Sequence, residues 1–203
     1  MGTGPDHTID AGECNPRALL IVDMINRLEF DGAAGMLPAA LAAAERLAEL
    51  KDALQRHGVP VIYANDNFGR WRSDFRSVVR SCLRPGVRGR PLAERLHPGP
   101  RDYFVLKPKH SAFFATPLEL LLRQLGVREL VIGGLAGDGC VLFTAYDAHL
   151  RDLRVFVPED ACASETAARN ERALTQIRLG LRGDTAPVAE YIARVDAEQR
   201  DAA

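Results

Sequence analysis

The chain has 203 residues, 47% of them hydrophobic and 26% charged, with a formal net charge of -1. That balance supports one packed core and excludes a chain disordered throughout. It offers no global attraction to nucleic acid or to an anionic membrane, and no apolar run approaches the roughly 20 residues of a membrane span.

The first sixteen residues, "MGTGPDHTIDAGECNP", lack the basic start and apolar run of a secretory signal. They read as a flexible polar arm before a single domain over 17–198, with a tail at 199–203. The first predicted strand is "ALLIVDM", Ala18–Met24, a short apolar run that ends on an acid. Leu37, Ala40, Leu41, Ala44, Leu47, Ala48 and Leu54 then recur at helical spacing, with Gly58 as a stop. "VPVIYAN", Val59–Asn65, is the second strand.

The stretch Gly69–Arg90 holds seven arginines and one acid. Arg72, Arg76, Arg80 and Arg84 step by four, opposite Phe75, Val78, Val79, Cys82 and Leu83, so it predicts an amphipathic helix with a solvated basic face. That face also offers a surface for a subunit contact or for guiding an anionic substrate. It lacks the interleaved aromatics of a nucleic-acid surface.

"YFVLKP", Tyr103–Pro108, is the third strand, and "TPLELLLRQLG", Thr116–Gly126, opens a helix with a Thr-x-x-Glu capping box and Pro at the first helical position. "ELVIGG", Glu129–Gly134, is the fourth strand, followed by a small-residue turn and a helix over Cys140–Leu150. "LRVFVP", Leu153–Pro158, is the fifth strand, a helix follows over Ala167–Leu181, and a sixth strand is expected near Gly183–Ala186 before a last helix at Pro187–Ala197. Strands alternating with helices predict an α/β fold, a parallel sheet covered on both faces.

In such sheets, sites gather at the carboxyl ends of the strands. Three reactive residues share that edge: Asp23 ends the first strand, Lys107 the third, and Cys140 follows the fourth. Any one of them has an ordinary reading as a packing thiol, a loop acid or a surface lysine. Together they supply a nucleophile, a proton acceptor and a cation. A helix N-terminus and Lys107 would both favour a Cys140 thiolate, and the turn "LAGDG" would bring backbone N–H groups to a substrate oxygen. The four cysteines, Cys14, Cys82, Cys140 and Cys162, show no C-x-x-C spacing and read as free thiols of a reducing cytoplasm. His7, His57, His97, His110 and His149 have no metal-ligand spacing to one another.

"LLIVDM", "VLKPKHSAFFATPLELLL", "VIGGLAGDGCVLFTAYDA" and "VPEDACAS", in this order, resemble the isochorismatase-like cysteine hydrolases, the superfamily of nicotinamidases and N-carbamoylsarcosine amidases. The resemblance runs from about Ala18 to Ala186. It implies a three-layer, Rossmann-like, six-stranded parallel sheet of order 3-2-1-4-5-6 and an Asp23–Lys107–Cys140 triad. It also implies a cis peptide at Leu135–Ala136 and an oxyanion hole from the N–H groups of Ala136 and Cys140. The implied reaction is hydrolysis of an amide or carbamoyl C–N bond through a thioester, without a cofactor. Vinyl-ether hydrolysis in the same pocket, and a member that binds a small ligand without turnover, are the alternative readings. Homo-oligomers, dimers or tetramers, are expected from the family.

Candidate substrate contacts are Asn26, Phe30, Phe68, Trp71, Phe113 and Tyr146, with Phe114 a further apolar candidate. The chain departs from the family where Ile25 replaces a usual Gln and Gly137 a usual Thr, which predicts a lost polar contact and a looser nucleophile turn. Asp66-Asn67-Phe68 stands where nicotinamidases carry Asp-x-His, so no metal is expected.

Overall fold

A computed structural model of the chain describes residues 14–66, 69 and 74–202. Its elements are β1 (Arg17–Val22), α1 (Ala33–Arg56), β2 (Val61–Asp66), α2 (Phe75–Cys82), α3 (Arg90–Arg95), β3 (Tyr103–Lys107) and α4 (Leu118–Gln124). They continue with β4 (Glu129–Leu135), α5 (Leu142–His149), β5 (Arg154–Phe156), β6 (Cys162–Ala163), α6 (Ala167–Gly180) and α7 (Val188–Ala202). The six-stranded sheet runs β3-β2-β1-β4-β5, with β6 paired to β4. Every pairing between strands is parallel.

Alternation along β1 builds the two faces. Leu19 and Ile21 join Leu47, Leu50 and Leu54 of α1 and Tyr191 of α7 in one core. Ala18, Leu20 and Val22 join Leu118 and Leu122 of α4, Ala145 and Ala148 of α5, and Leu174 and Ile177 of α6 in the other. The strands need no polar face because helices cover both sides.

Several expectations shift in detail. Residues 183–186 form no strand. They contribute one bridge, Phe156 to Asp184, because Gly-Asp-Thr-Ala has no apolar run to bury. The sixth strand is instead β6: β5 pairs with the first half of β4, and after the connection 157–161 the chain returns at Cys162–Ala163 to pair with Gly134 and Leu135. α4 begins at Leu118 with Pro117, not Thr116, at its N-cap, so the expected capping box does not form. Thr116 Oγ1 accepts from the Leu118 amide at 3.2 Å, while Glu119 turns outward to Arg123 and Arg151.

The basic helix is α2, which buries Phe75, Val78, Val79 and Cys82 as its pattern requires; Arg72 lies outside the described residues. Asn15 and Pro16 are tied to the domain, through Asn15 N–H to Leu125 O and the Arg128 and Glu129 amides to Pro16 O. Residues 199–202 extend α7. Among the described residues no helix is long and apolar enough to cross a membrane.

Gly134 is where the sheet approaches the site. Its φ is +129°, and a Cβ there would stand 2.0 Å from the Val22 carbonyl oxygen on β1. Gly134→Ala should therefore lose about 2 kcal/mol or more of stability, seen as a lower urea midpoint. An unchanged midpoint would show that β1 and β4 can separate at this register without loss.

Candidate active site

The carboxyl ends of β1, β3 and β4 converge as the alternation predicts. Asp23 stands one residue past β1 in the left-handed region, φ 51°, which aspartate tolerates better than most residues. Its Oδ1 accepts from the Asp66 amide at 2.7 Å, and its Oδ2 from Lys107 Nζ at 2.7 Å. The β2–β3 register sets Asp66 opposite Lys107, so both donors arrive together. Lys107 is fully buried. Its ammonium has three acceptors: Asp23, Cys140 Sγ at 3.2 Å and the Lys109 carbonyl at 3.3 Å. The ion pair is thus fully satisfied, which a buried charge requires.

Cys140 lies in a wide π-helical turn, Gly137–Val141, that leads into α5. The turn pivots on Gly139, at φ -127° and ψ -105°. Its closing bonds run to one carbonyl, that of Ala136, from the Gly139 amide at 2.9 Å and the Val141 amide at 3.1 Å. Thr144 Oγ1 donates to the Cys140 carbonyl at 2.6 Å. The Leu135–Ala136 peptide is cis.

The electrostatics differ from the resting thiolate expected above. Burial, then the Asp23 charge, pushes the Cys140 thiol up to about 12, against the opposing pull of Lys107. Burial also raises Asp23, with Lys107 offsetting part of the rise. Burial acts to lower Lys107, but Asp23 and Cys140 reverse it and the ammonium is held above its usual value. The thiol therefore rests protonated beside the Asp23–Lys107 pair.

A cavity of about 320 Å³ opens over the sulfur. Asp23, Leu135, Ala136 and Cys140 form its floor, Asn26, Phe30 and Met36 one wall, and Asp31, Asp138, Glu165 and Arg169 the rest. Asn26 and Phe30 therefore stand where substrate contacts were expected. Asn26 also makes a loop hydrogen bond, its Oδ1 accepting from the Leu28 amide at 2.8 Å.

Phe113 is not in this cavity. It is buried on the far side of the 111–116 turn, under the Arg151 guanidinium at 4.7 Å from its ring centre. Tyr146 is not there either. Six helical residues beyond Cys140 it has turned about 240° away, and its hydroxyl approaches Gly180 on α6. Phe68 and Trp71 lie outside the described residues. Ile25 is buried in the core, with Asn65 Nδ2 donating to its carbonyl at 2.8 Å. Gly137 does not loosen its turn, because Asn170 and Ser164 pack directly against it.

Sequence reasoning missed the charged wall and His110. His110 Nδ1 is 3.7 Å from Cys140 Sγ, and its ring stacks on Phe143 at 5.4 Å. Its position between Lys107 and the Ser111-Ala112-Phe113 motif was a usable signal. The wall residues gave none, since they come from the α1 approach, the nucleophile turn and α6. Among the described residues no group of three or more His, Cys, Asp or Glu side chains is placed to hold a metal ion.

The fold is matched by known proteins. The family description "Isochorismatase domain" matches residues 17–189, and the chain belongs to that family of hydrolases. It is 40% identical over 161 residues to the "Uncharacterized isochorismatase family protein YaaI" of Bacillus subtilis, covering 79% of this chain and 88% of that one. A cysteine hydrolase from Pseudomonas syringae superposes with a TM-score of 0.73 at 25% identity, covering 91% of this chain and 95% of that one. N-carbamoylsarcosine amidase from Thermoplasma acidophilum superposes at 0.67 with 26% identity, covering 86% and 97%.

Asp23 raises the thiol and Lys107 lowers it. In Asp23→Asn the ammonium acts unopposed, so Cys140 should titrate lower and react faster with iodoacetamide at pH 7, while hydrolysis is lost. Equal or slower labelling of Cys140, read by peptide mass spectrometry with exposed Cys14 as the internal standard, would show that Asp23 does not set the thiol's charge.

Proposed function

We propose that the protein hydrolyses the C–N bond of a small neutral or cationic carboxamide or carbamoyl compound through a thioester on Cys140. The observation that carries this reading is the Cys140–Lys107–Asp23 chain of contacts, 3.2 and 2.7 Å, at the floor of the cavity. Cys140 Sγ attacks the carbonyl carbon as its proton passes to Asp23. The developing oxyanion faces the N–H groups of Ala136 and Cys140, two residues that line the cavity. Collapse breaks the C–N bond, and Asp23 returns the proton to the departing nitrogen. Water then gives a proton to Asp23 and attacks the thioester, and the sulfur leaves and is reprotonated. The sum is amide plus water giving acid plus amine or ammonia. The solved neighbour named as an N-carbamoylsarcosine amidase supports C–N bond hydrolysis as the reaction class.

The wall supports the charge preference. Outside the triad, the described lining carries Asp31, Asp138 and Glu165 against Arg169. Arg169 is itself engaged, by Asp138 and by Glu165 at 2.5 Å each. An incoming carboxylate meets a net negative field in a confined space, where charges are poorly screened.

Ammonia or amine release across matched anionic, neutral and cationic small amides tests this. Turnover should favour the uncharged and cationic members by about 10-fold or more in kcat/KM, with the gap narrowing at high salt. Cys140→Ala should lower turnover at least about 10³-fold. Release undiminished in Cys140→Ala would overturn the thioester, and a preference for the anionic amides would overturn the charge argument.

The pH profile gives an independent check. Asp23 acts as a carboxylate, and burial raises its pKa, so activity should fall on the acid side with a midpoint above the ordinary value of about 3.9. The thiol's high pKa means no rise in rate should accompany the usual thiol range of about 8–9. A rate that climbs through that range would indicate a free thiolate as the attacking species.

A further inference from the structure

We infer that Asn170 and Ser164 form a polar clamp that positions the nucleophile turn, and that Gly137 is required because Asn170 occupies the place of its side chain. This rests on the thioester reading above, since the turn matters there for aiming N–H groups. A Cβ on Gly137 would stand 2.0 Å from Asn170 Oδ1 and 3.0 Å from Ser164 Oγ. Its backbone φ is not in the left-handed region, so space and not conformation demands the glycine. Asn170 is not free to swing aside. Its Oδ1 accepts from Ser164 Oγ at 3.0 Å, and its Nδ2 reaches the Cys162 carbonyl at 3.5 Å.

Ser164 in turn accepts from the Asp138 amide at 3.0 Å. A continuous relay therefore runs from the first turn of α6, through Ser164 just after β6, to the backbone two residues before Cys140. Arg169, the neighbour of Asn170, holds the Asp138 side chain from the same turn of α6. Thr166 caps that turn, its hydroxyl accepting from the Arg169 amide at 3.2 Å. The clamp thus grips Asp138 by its amide and by its carboxylate. What it fixes is the path of residues 137–139 between two closing bonds to the Ala136 carbonyl, and with it the direction of the Cys140 N–H. Asn170 and Ser164 do not line the cavity among the described residues, so both act through the turn.

A double-mutant cycle on Asn170 and Gly137 tests this in the full chain. Asn170→Ala should lower kcat about 10- to 100-fold, with KM changed less than threefold, as expected when a reacting group is misplaced by a fraction of an ångström. Gly137→Ala should do at least as much, because it must expel Asn170 from its bonds. The double variant, in which the new methyl enters vacated space, should be no worse than Gly137→Ala alone. Ser164→Ala should share the phenotype, and Asn170→Ser should recover part of the rate.

Amide hydrogen exchange over residues 137–141 requires no turnover and separates this inference from the choice of substrate. Exchange there should quicken in Asn170→Ala while the sheet amides of β1 and β4 stay protected. Unchanged exchange over the turn in Asn170→Ala overturns the clamp, and so do strictly multiplicative losses in the cycle. Failure of the wild type to cleave any amide counts against the thioester reading, and the exchange result then decides the clamp by itself.

Discussion

The buried pair Asp23–Lys107 is the constraint on which the site depends. A fully buried ammonium is tolerated only with its protons accepted and a counter-charge in contact. The fold meets that demand by adjacency. Strand order β3-β2-β1 puts β2 between the lysine and the aspartate, and the last residue of β2 donates its own amide to Asp23. The pair therefore ties three strand ends together. Its third partner, the sulfur of Cys140, comes from β4 on the other side of β1, so one cation draws the whole edge to a point.

That point is tuned for transfer of a proton and not for storage of an anion. A thiolate beside Asp23 would place two negative charges on one ammonium, and the site resists this by keeping the thiol protonated. The same burial that raises the thiol also raises Asp23, against the opposing pull of Lys107 on both. His110 adds an imidazole ring beside the sulfur from the loop that follows β3.

Around this floor the geometry is governed by close approach. Gly134 lets β4 lie against β1, Gly137 lets α6 reach the nucleophile turn, and Gly89 lets the loop before α3 meet the backbone of Asn26 and Arg27. At Gly89 a Cβ would stand 1.7 Å from the Asn26 carbonyl oxygen, and the Gly89 amide bonds to the Arg27 carbonyl at 3.0 Å. The wall carrying Asn26 and Phe30 is thus held from behind by this backbone contact and by the Arg88 guanidinium, which donates to the Leu28 carbonyl at 2.6 Å. The rim is charged and the floor is neutral as a whole, so attraction and chemistry are assigned to different residues.

The strands, the helices on both faces and the three residues of the floor were legible in the sequence, because each follows from a local rule. A continuous apolar run of five to seven residues between turn signals fits a buried strand, and a parallel sheet collects strand ends at one edge. The apolar wall was legible only in part. Asn26 and Phe30 follow Asp23 closely and share its location, whereas Phe113 and Tyr146 depended on how a turn and a helix rotate. The sixth strand failed for a similar reason, since a two-residue pairing at Cys162–Ala163 has too few residues to leave a pattern. Tertiary structure alone decided the protonation of Cys140, the acidic rim and the contact of Asn170 with Gly137. Each arises from side chains tens of residues apart meeting in space, where burial and charge act through distance and leave no spacing in the chain to read.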